Sequence, residues 1–181
     1  MCTVKTPWEK AVEFHGHSCP GLAIGFKAVE AVIRELGYAR DIDEEMVAIV
    51  ENDSCSIDAI QSELGCTAGK GNLIFRNNGK QVFTVGRRND GKAVRIALKY
   101  DTRLGSGNDE SREDRIKRIL ESDPGDLFDI KEAKLDLPKK AVIFKTIKCE
   151  GCGEGVMESK VRLSDGRPLC PDCFDDYTRG W

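Results

Sequence analysis

The sequence predicts an α+β core, residues 1–145, with helices packed on a mainly antiparallel sheet and a small cysteine-stapled module at residues 146–181. Three observations lead there. A long apolar-faced helix is written between Cys19 and Gly37, short β-rich runs are separated by Asn-Asn-Gly and Asn-Asp-Gly, and two Cys-x-x-Cys pairs stand near the C-terminus. A chain of 181 residues is long enough for one sizeable domain and an appendage.

In chain order, TPWEKAVEFHG reads as a short helix, with Thr6 as cap, Pro7 in the first turn, and Trp8, Ala11 and Val12 as its apolar stripe. CPGLAIGFKAVEAVIRELG is the strongest helix: Pro20 suits its first turn, Leu22 to Leu36 supply a broad apolar face, and Gly37 stops it. MVAIVEN is apolar and β-branched, hence a buried strand. It runs into DSCSIDAIQSELGC, a helix capped by Asp53 or Ser54. NLIFRN, KQVFTVG and AVRIALKY then read as an antiparallel meander turning at Asn77-Asn78-Gly79 and Asn89-Asp90-Gly91. GSGNDESREDRIKRILES begins as a turn and becomes a charged helix. DPGDLFDIKEAKLDLP reads as helical or irregular, packing at Leu127, Phe128 and Ile130, and KKAVIFKTIKCEGC is a last strand entering the cysteine module.

A net charge of −3 argues against a nucleic-acid or anionic-membrane partner. The first residues, MCTVKTPWEKAVEF, lack the apolar centre of a signal peptide, and no run is long enough to span a bilayer. A cytoplasmic protein is therefore expected, and in that compartment eight cysteines read as metal ligands or reactive thiols before disulfides.

Cys149 and Cys152 are followed, after seventeen residues, by Cys170 and Cys173. Two tight turns of this kind each present two sulfurs to one ion and close a tetrahedral shell of four thiolates. Between them VMESKVRLSDGRPL reads as a hairpin with its tip at Ser164-Asp165-Gly166, and CPDCFDDY as the start of a short helix. A knuckle, a hairpin and a helix describe a treble-clef zinc finger, whose zinc is structural because so small a module lacks a core of its own. From Cys149 onward there are seven acidic and four basic residues, a balance unsuited to phosphate contacts.

Both histidines fall in FHGHSCPG, residues 14–21. Pro20 makes Cys19 the N-cap of the long helix, where the dipole favours a thiolate. His17 is placed to be a second ligand or a base for that thiol, and Gly16 lets His15 fold back towards both. Cys55 also sits at a helix start, so packing the two helices side by side brings both positive ends and both sulfurs together, an environment for a soft divalent metal. Cys66 lies in a glycine-rich loop with Lys70, which departs from a P-loop in spacing and in lacking the hydroxyl after lysine, though a backbone anion nest with Lys70 as counter-charge fits it. Cys2, at the terminus, receives no role.

FHGHSCPGLAIGFK followed by ENDSCSIDAIQSELGCTAGKGNL resembles the FmdE family of formylmethanofuran dehydrogenase over roughly residues 7–145. The resemblance implies an α+β core, in some members with an added treble-clef finger. It implies a metal-associated cleft at His17, Cys19 and Cys55, the candidate catalytic groups, with His15 as a further ligand and Asp58, Cys66 and Lys70 as nearby cofactor contacts. On that basis a second divalent transition metal is expected in the core, in a protein associated with an oxidoreductase partner subunit of one-carbon metabolism. Its alternatives are a metal or cofactor delivery protein and a regulator acting through the finger. A homodimer through the core is expected from exposed strand edges and from an apolar helix too broad for three strands to cover.

Overall fold

The computed structural model describes residues 4–37, 40, 42–101, 110–134 and 137–177. The chain divides into two compact units, Met1–Ala141 and Val142–Trp181.

In the larger unit, helix α1 (Pro7–His15) starts at a capping box. Glu9 N–H donates to the Thr6 hydroxyl at 3.2 Å, and Thr6 N–H donates to the Glu9 carboxylate at 2.7 Å. Gly16, at φ 89°, ends the helix and turns the chain. Helix α2 (Pro20–Leu36) is capped by a sulfur: Leu22 N–H donates to Cys19 Sγ at 3.3 Å. Gly37, at φ 62°, closes it in the left-handed conformation.

Five strands, β1 (Met46–Val50), β2 (Leu73–Phe75), β3 (Val82–Arg87), β4 (Ala93–Leu98) and β5 (Phe128–Glu132), form one sheet in the order β2-β1-β3-β4-β5. The sheet is mainly antiparallel, and its one parallel pair corrects the expected three-strand meander. β2 runs parallel to β1, with Ile49 opposite Ile74, while β1 lies between β2 and β3. Every residue of β1 is buried, which requires a central position with neighbours on both edges. Asn77-Asn78-Gly79 is accordingly no β2–β3 hairpin. Asn78 and Lys80 instead give their N–H groups to the Glu51 carbonyl at 3.0 and 2.9 Å, looping the chain around the end of β1. Asn89-Asp90-Gly91 does close the β3–β4 hairpin, with Gly91 at φ 69°.

Residues 128–132 are strand rather than helical or irregular, because β5 pairs along the whole edge of β4 from Leu98↔Phe128 to Val94↔Glu132. A short helical turn at Pro124–Leu127, capped by Asp123, delivers it. The segment after β1 also differs from expectation. Neither Asp53 nor Ser54 caps it, helix α3 spans only Ser56–Ala59, and Ile60–Leu64 widens into a π-helical turn. Helix α4 (Arg112–Glu121) is capped by Ser111, and the turn at Pro124–Leu127 is α5.

Helix α2 is the hub. It packs against α1, α3, α4, α5 and β4, burying Ala23, Ala28, Val29 and Val32 in one apolar core with Met46, Ile60, Phe83, Val85 and Ile96. Gly25 is what lets α3 approach: a Cβ built there would fall 2.1 Å from the Ser56 carbonyl oxygen. On another part of the sheet, Leu137 packs against Gly86, and the Arg88 guanidinium donates to the Pro138 carbonyl.

The smaller unit has two hairpins, β6 (Thr146–Lys148) with β7 (Gly155–Met157), and β8 (Arg162–Ser164) with β9 (Arg167–Leu169). The second turns at Asp165 and Gly166, both with positive φ. The expected helix after Cys170 is absent among the described residues: Cys173 and Phe174 both donate to the Cys170 carbonyl, and the single turn goes no further. Among the described residues no helix is long and apolar enough to cross a membrane.

Gly25→Ala forces α3 off α2 and should lower the unfolding free energy by about 1–3 kcal/mol or more. Gly69→Ala, where an added Cβ meets nothing within 4 Å, is the control. Urea denaturation midpoints of the two variants check this, and equal midpoints would contradict the close-approach argument.

Candidate metal centres

His15 is the last residue of α1, His17 follows in the loop, and Cys19 opens α2. One ligand atom of each lies within 4.8 Å of the other two, a grouping set up by the left-handed turn at Gly16. The two imidazole centroids are 4.4 Å apart. His15 Nδ1 is 2.6 Å from Asp58 Oδ2 and its Nε2 is 3.7 Å from Cys19 Sγ. An ionised carboxylate only accepts, so Nδ1 donates to Asp58, and in a neutral imidazole the Nε2 lone pair then faces the sulfur. Asp58 is itself held, its Oδ1 accepting from Gln61 Nε2 at 3.1 Å. Cys19 is buried and His17 exposed, so the group opens to solvent on the His17 side.

Cys55 stands beside this group without belonging to it. A Cβ at Gly21 would meet Cys55 Sγ at 3.8 Å and Cys19 Sγ at 3.9 Å, so both sulfurs border the bare face of that glycine. Burial, then the neighbouring Cys19 sulfur and the Asp58 charge, push the Cys55 thiol above its ordinary range. Its flanking residues are fixed by a polar network. Asn52 Oδ1 accepts from the Ser54 hydroxyl at 2.8 Å, Gln81 Nε2 donates to Ser54 Oγ at 2.7 Å, and the Ser56 hydroxyl donates to Gln81 Oε1 at 2.9 Å.

Asp58 is the residue whose role residue patterning alone did not bring out. The available sign was its place three residues after Cys55 on one helix, where i and i+3 share a face. Cys66 is fully buried in the main apolar core and is not part of the group. Lys70 lies in a turn held by its N–H to the Thr67 hydroxyl at 3.3 Å. Cys2 lies outside the described residues.

In the smaller unit, Cys149, Cys152, Cys170 and Cys173 place all four sulfurs within 4.8 Å of one another. Cys170 N–H donates to Cys149 Sγ at 3.2 Å, and Gly151 is obligatory because a Cβ there would come within 2.9 Å of Cys173 Sγ. Backbone N–H groups, first of Cys152 and then of Cys170, bring the Cys149 thiol down to about 6, whereas the adjacent Cys170 sulfur and burial push Cys173 up to about 12. Four sulfurs this close cannot all ionise unaided. A central dication removes the repulsion, and four thiolates suit tetrahedral zinc.

Both units resemble known proteins. Residues 14–129 match the family described as FmdE, Molybdenum formylmethanofuran dehydrogenase operon. Residues 143–179 match the prokaryotic dksA/traR C4-type zinc finger. A relative from Archaeoglobus fulgidus named "Probable S-adenosyl-L-methionine-binding protein" is 32% identical over 93% of this chain, which spans 52% of that protein's length. A solved structure, that of a tungsten formylmethanofuran dehydrogenase FmdE-like protein from Syntrophus aciditrophicus, is similar with a TM-score of 0.69 and 27% identity, over 91% of this chain and 88% of that one.

Cys170→Ser should remove the finger's zinc and unfold the smaller unit while the larger one keeps its denaturation midpoint, as measured by zinc content and proton NMR. Zinc affinity of the finger should fall as pH falls. Binding displaces protons from thiols, Cys173 above all, so each displaced proton weakens binding about tenfold per pH unit below its thiol's pKa. Chelator competition at several pH values measures the slope, and a flat profile would contradict four-thiolate ligation.

Proposed function

The chain belongs to the FmdE family, and from that premise we propose that it is a two-site metal protein serving an oxidoreductase of one-carbon metabolism. In this reading the finger holds structural zinc, and the core holds a second transition metal at His15, His17 and Cys19. The carrying observation is the grouping of two imidazoles and one thiol within 4.8 Å, one of them oriented by a carboxylate.

The donor chemistry fits such an ion. Two nitrogens and a sulfur suit zinc, iron, cobalt or nickel and disfavour magnesium or calcium. When bound, a metal with three protein ligands supplies Lewis acidity at its remaining open position. Each residue of the chain then has a defined task. Asp58 fixes the His15 tautomer and turns its Nε2 lone pair inward, the arrangement that strengthens metal-bound histidines. Leu22 N–H holds the Cys19 sulfur at the start of α2. Cys55, kept protonated beside Cys19, is a proton donor or a reserve fourth ligand. The formylmethanofuran dehydrogenase link is supported by the family description and by the name of the solved relative.

The exposure of His17 favours delivery as the second reading, since a ligand on the solvent side is the first to release in a hand-over. Exchange rates separate the two: a delivery site yields its core metal to a chelator within minutes, a catalytic site holds it.

The purified 181-residue chain should contain two metal equivalents, reduced to one by His15→Ala or Cys19→Ser with the finger's zinc retained. Asp58→Asn should keep the fold and weaken the core site about 10–100-fold. Metal analysis and titration with Co(II), followed by its thiolate charge-transfer band, read both. One equivalent in wild type and in all three variants would reject the core site.

A further inference from the structure

Cys19 and Cys55 meet over one short stretch of α2. The point that a Cβ would occupy at Gly21 lies 3.9 Å from Cys19 Sγ and 3.8 Å from Cys55 Sγ. Cys55 packs on the small apolar cluster that Cys19 forms with Leu22 and Ala59. Gly21, bordered by both sulfurs, puts no side chain between them. Cys66 lies elsewhere, in the main apolar core.

We propose that Cys19 and Cys55 form a reversible dithiol–disulfide pair, closed by a small-molecule disulfide and opened by thiols. The two sulfurs are held unequally, which suits such a pair. Cys19 Sγ is fixed as the cap of α2, accepting from Leu22 N–H at 3.3 Å. Cys55 makes no capping hydrogen bond at the start of α3, so its sulfur is left to rotate about the Cα–Cβ bond. The bare face of Gly21 is the space through which it turns. A disulfide needs its two Cβ atoms about 3.5–4.5 Å apart. A methyl group at Gly21 would press on Cys55 Cβ at 3.1 Å and occupy that space.

Access orders the chemistry. Cys55 is half-buried, whereas Cys19 is only 6% exposed. A small disulfide such as oxidised glutathione therefore meets Cys55 first. Its S–S bond breaks, one half joins Cys55 Sγ, and the other leaves as a thiol with the Cys55 proton. Cys19 Sγ then attacks Cys55 Sγ, and the second half leaves as a thiol with the Cys19 proton. Two electrons pass from the protein thiols to the small disulfide, which ends as two thiols. Closure takes Cys19 Sγ from its grouping with His15 and His17, and only a thiolate sulfur ligates a metal, so the core ion is released. That consequence rests on the core-metal reading; the sulfur pair does not.

The purified 181-residue chain, its finger zinc in place, is equilibrated with reduced and oxidised glutathione in varied ratio, alkylated, digested and weighed as peptides. A Cys19–Cys55 cross-link should be absent in reduced glutathione, dominant in excess oxidised glutathione, and reversed by dithiothreitol. Cys55→Ser should abolish it and Cys66→Ala should leave it. Gly21→Ala keeps both thiols and should slow closure about tenfold, as a small misplacement of reacting atoms does. Unchanged near-ultraviolet dichroism and finger zinc content confirm folding of each variant. Loss of the core metal equivalent on closure, and its rebinding after reduction, support the pair and its consequence together. A cross-link in a chain that holds finger zinc alone upholds the pair and rejects the core metal. The proposal is overturned by the lack of a cross-link at every ratio, by glutathione that stays on Cys55, or by a bond to Cys66 instead. A closed pair that keeps its core metal overturns it as well.

Discussion

The contact between α2 and α3 is the constraint on which the rest of the larger unit depends. Gly21 and Gly25 lie one turn apart on α2 and present bare backbone to Cys55 and Ser56, close enough at Gly25 that no side chain fits. That approach sets the separation of the two helix starts and so places Cys55 beside Cys19. It also fixes where Asp58, one turn further along, can reach. From there its carboxylate meets His15 at the end of α1. Three elements thus contribute to one site because two glycines let a helix turn lie flat on its neighbour.

Polar burial behind Cys55 has the same logic. Asn52 and Ser56 are buried, and an unpaired amide or hydroxyl there would cost about 1–3 kcal/mol each. Neither is unpaired. Asn52 gives its amide hydrogen to the Lys80 carbonyl at 3.0 Å and takes two donors on its oxygen, the Ser54 hydroxyl and the Ser54 N–H. Gln81 closes the circuit from β3's leading edge. An apolar plug could fill the space, yet it would not define the direction in which the chain leaves β1, and that direction aims Cys55. Ser54, expected as a cap, is used here instead, which is why α3 begins without one.

Much of this is legible in the residues, for identifiable reasons. Thr6, Pro7, Gly16, Cys19, Pro20 and Gly37 carry local signals whose physics acts within four residues, and α1 and α2 begin and end where those signals stand. The four finger cysteines are legible because sulfur spacing in a tight turn is nearly independent of context. Strand pairing is a different matter. β2 and β3 have the patterning and turn residues of a hairpin partner pair, but β1 is buried on all five residues and takes the position between them. Only the competition among strands for the sheet centre decides that, and no local pattern records it. β5 is obscured likewise by Pro124 and Gly125, which belong to the short helix preceding it. At the site, His15 and His17 are neighbours in the sequence, but the greater engagement of His15 follows from Asp58, forty-three residues away.

The contrast between the four-cysteine cluster and the His/Cys grouping follows from the size of what surrounds them. The smaller unit has few buried residues, Cys149 and Leu169 among them, so its hairpins are held together by whatever joins the four sulfurs. Such a site must be closed: an open position would weaken the one interaction that keeps the unit folded. In the larger unit α2 and the sheet already supply a core, and no ligand is needed to hold it. That core is free to support an incomplete donor set, with His17 facing solvent and Cys55 standing beside Cys19. The residues with the strongest ligand pattern in the sequence, the double Cys-x-x-Cys, hold a small unit together, and the less regular His-x-His-x-Cys stands on a core that supplies its own apolar burial.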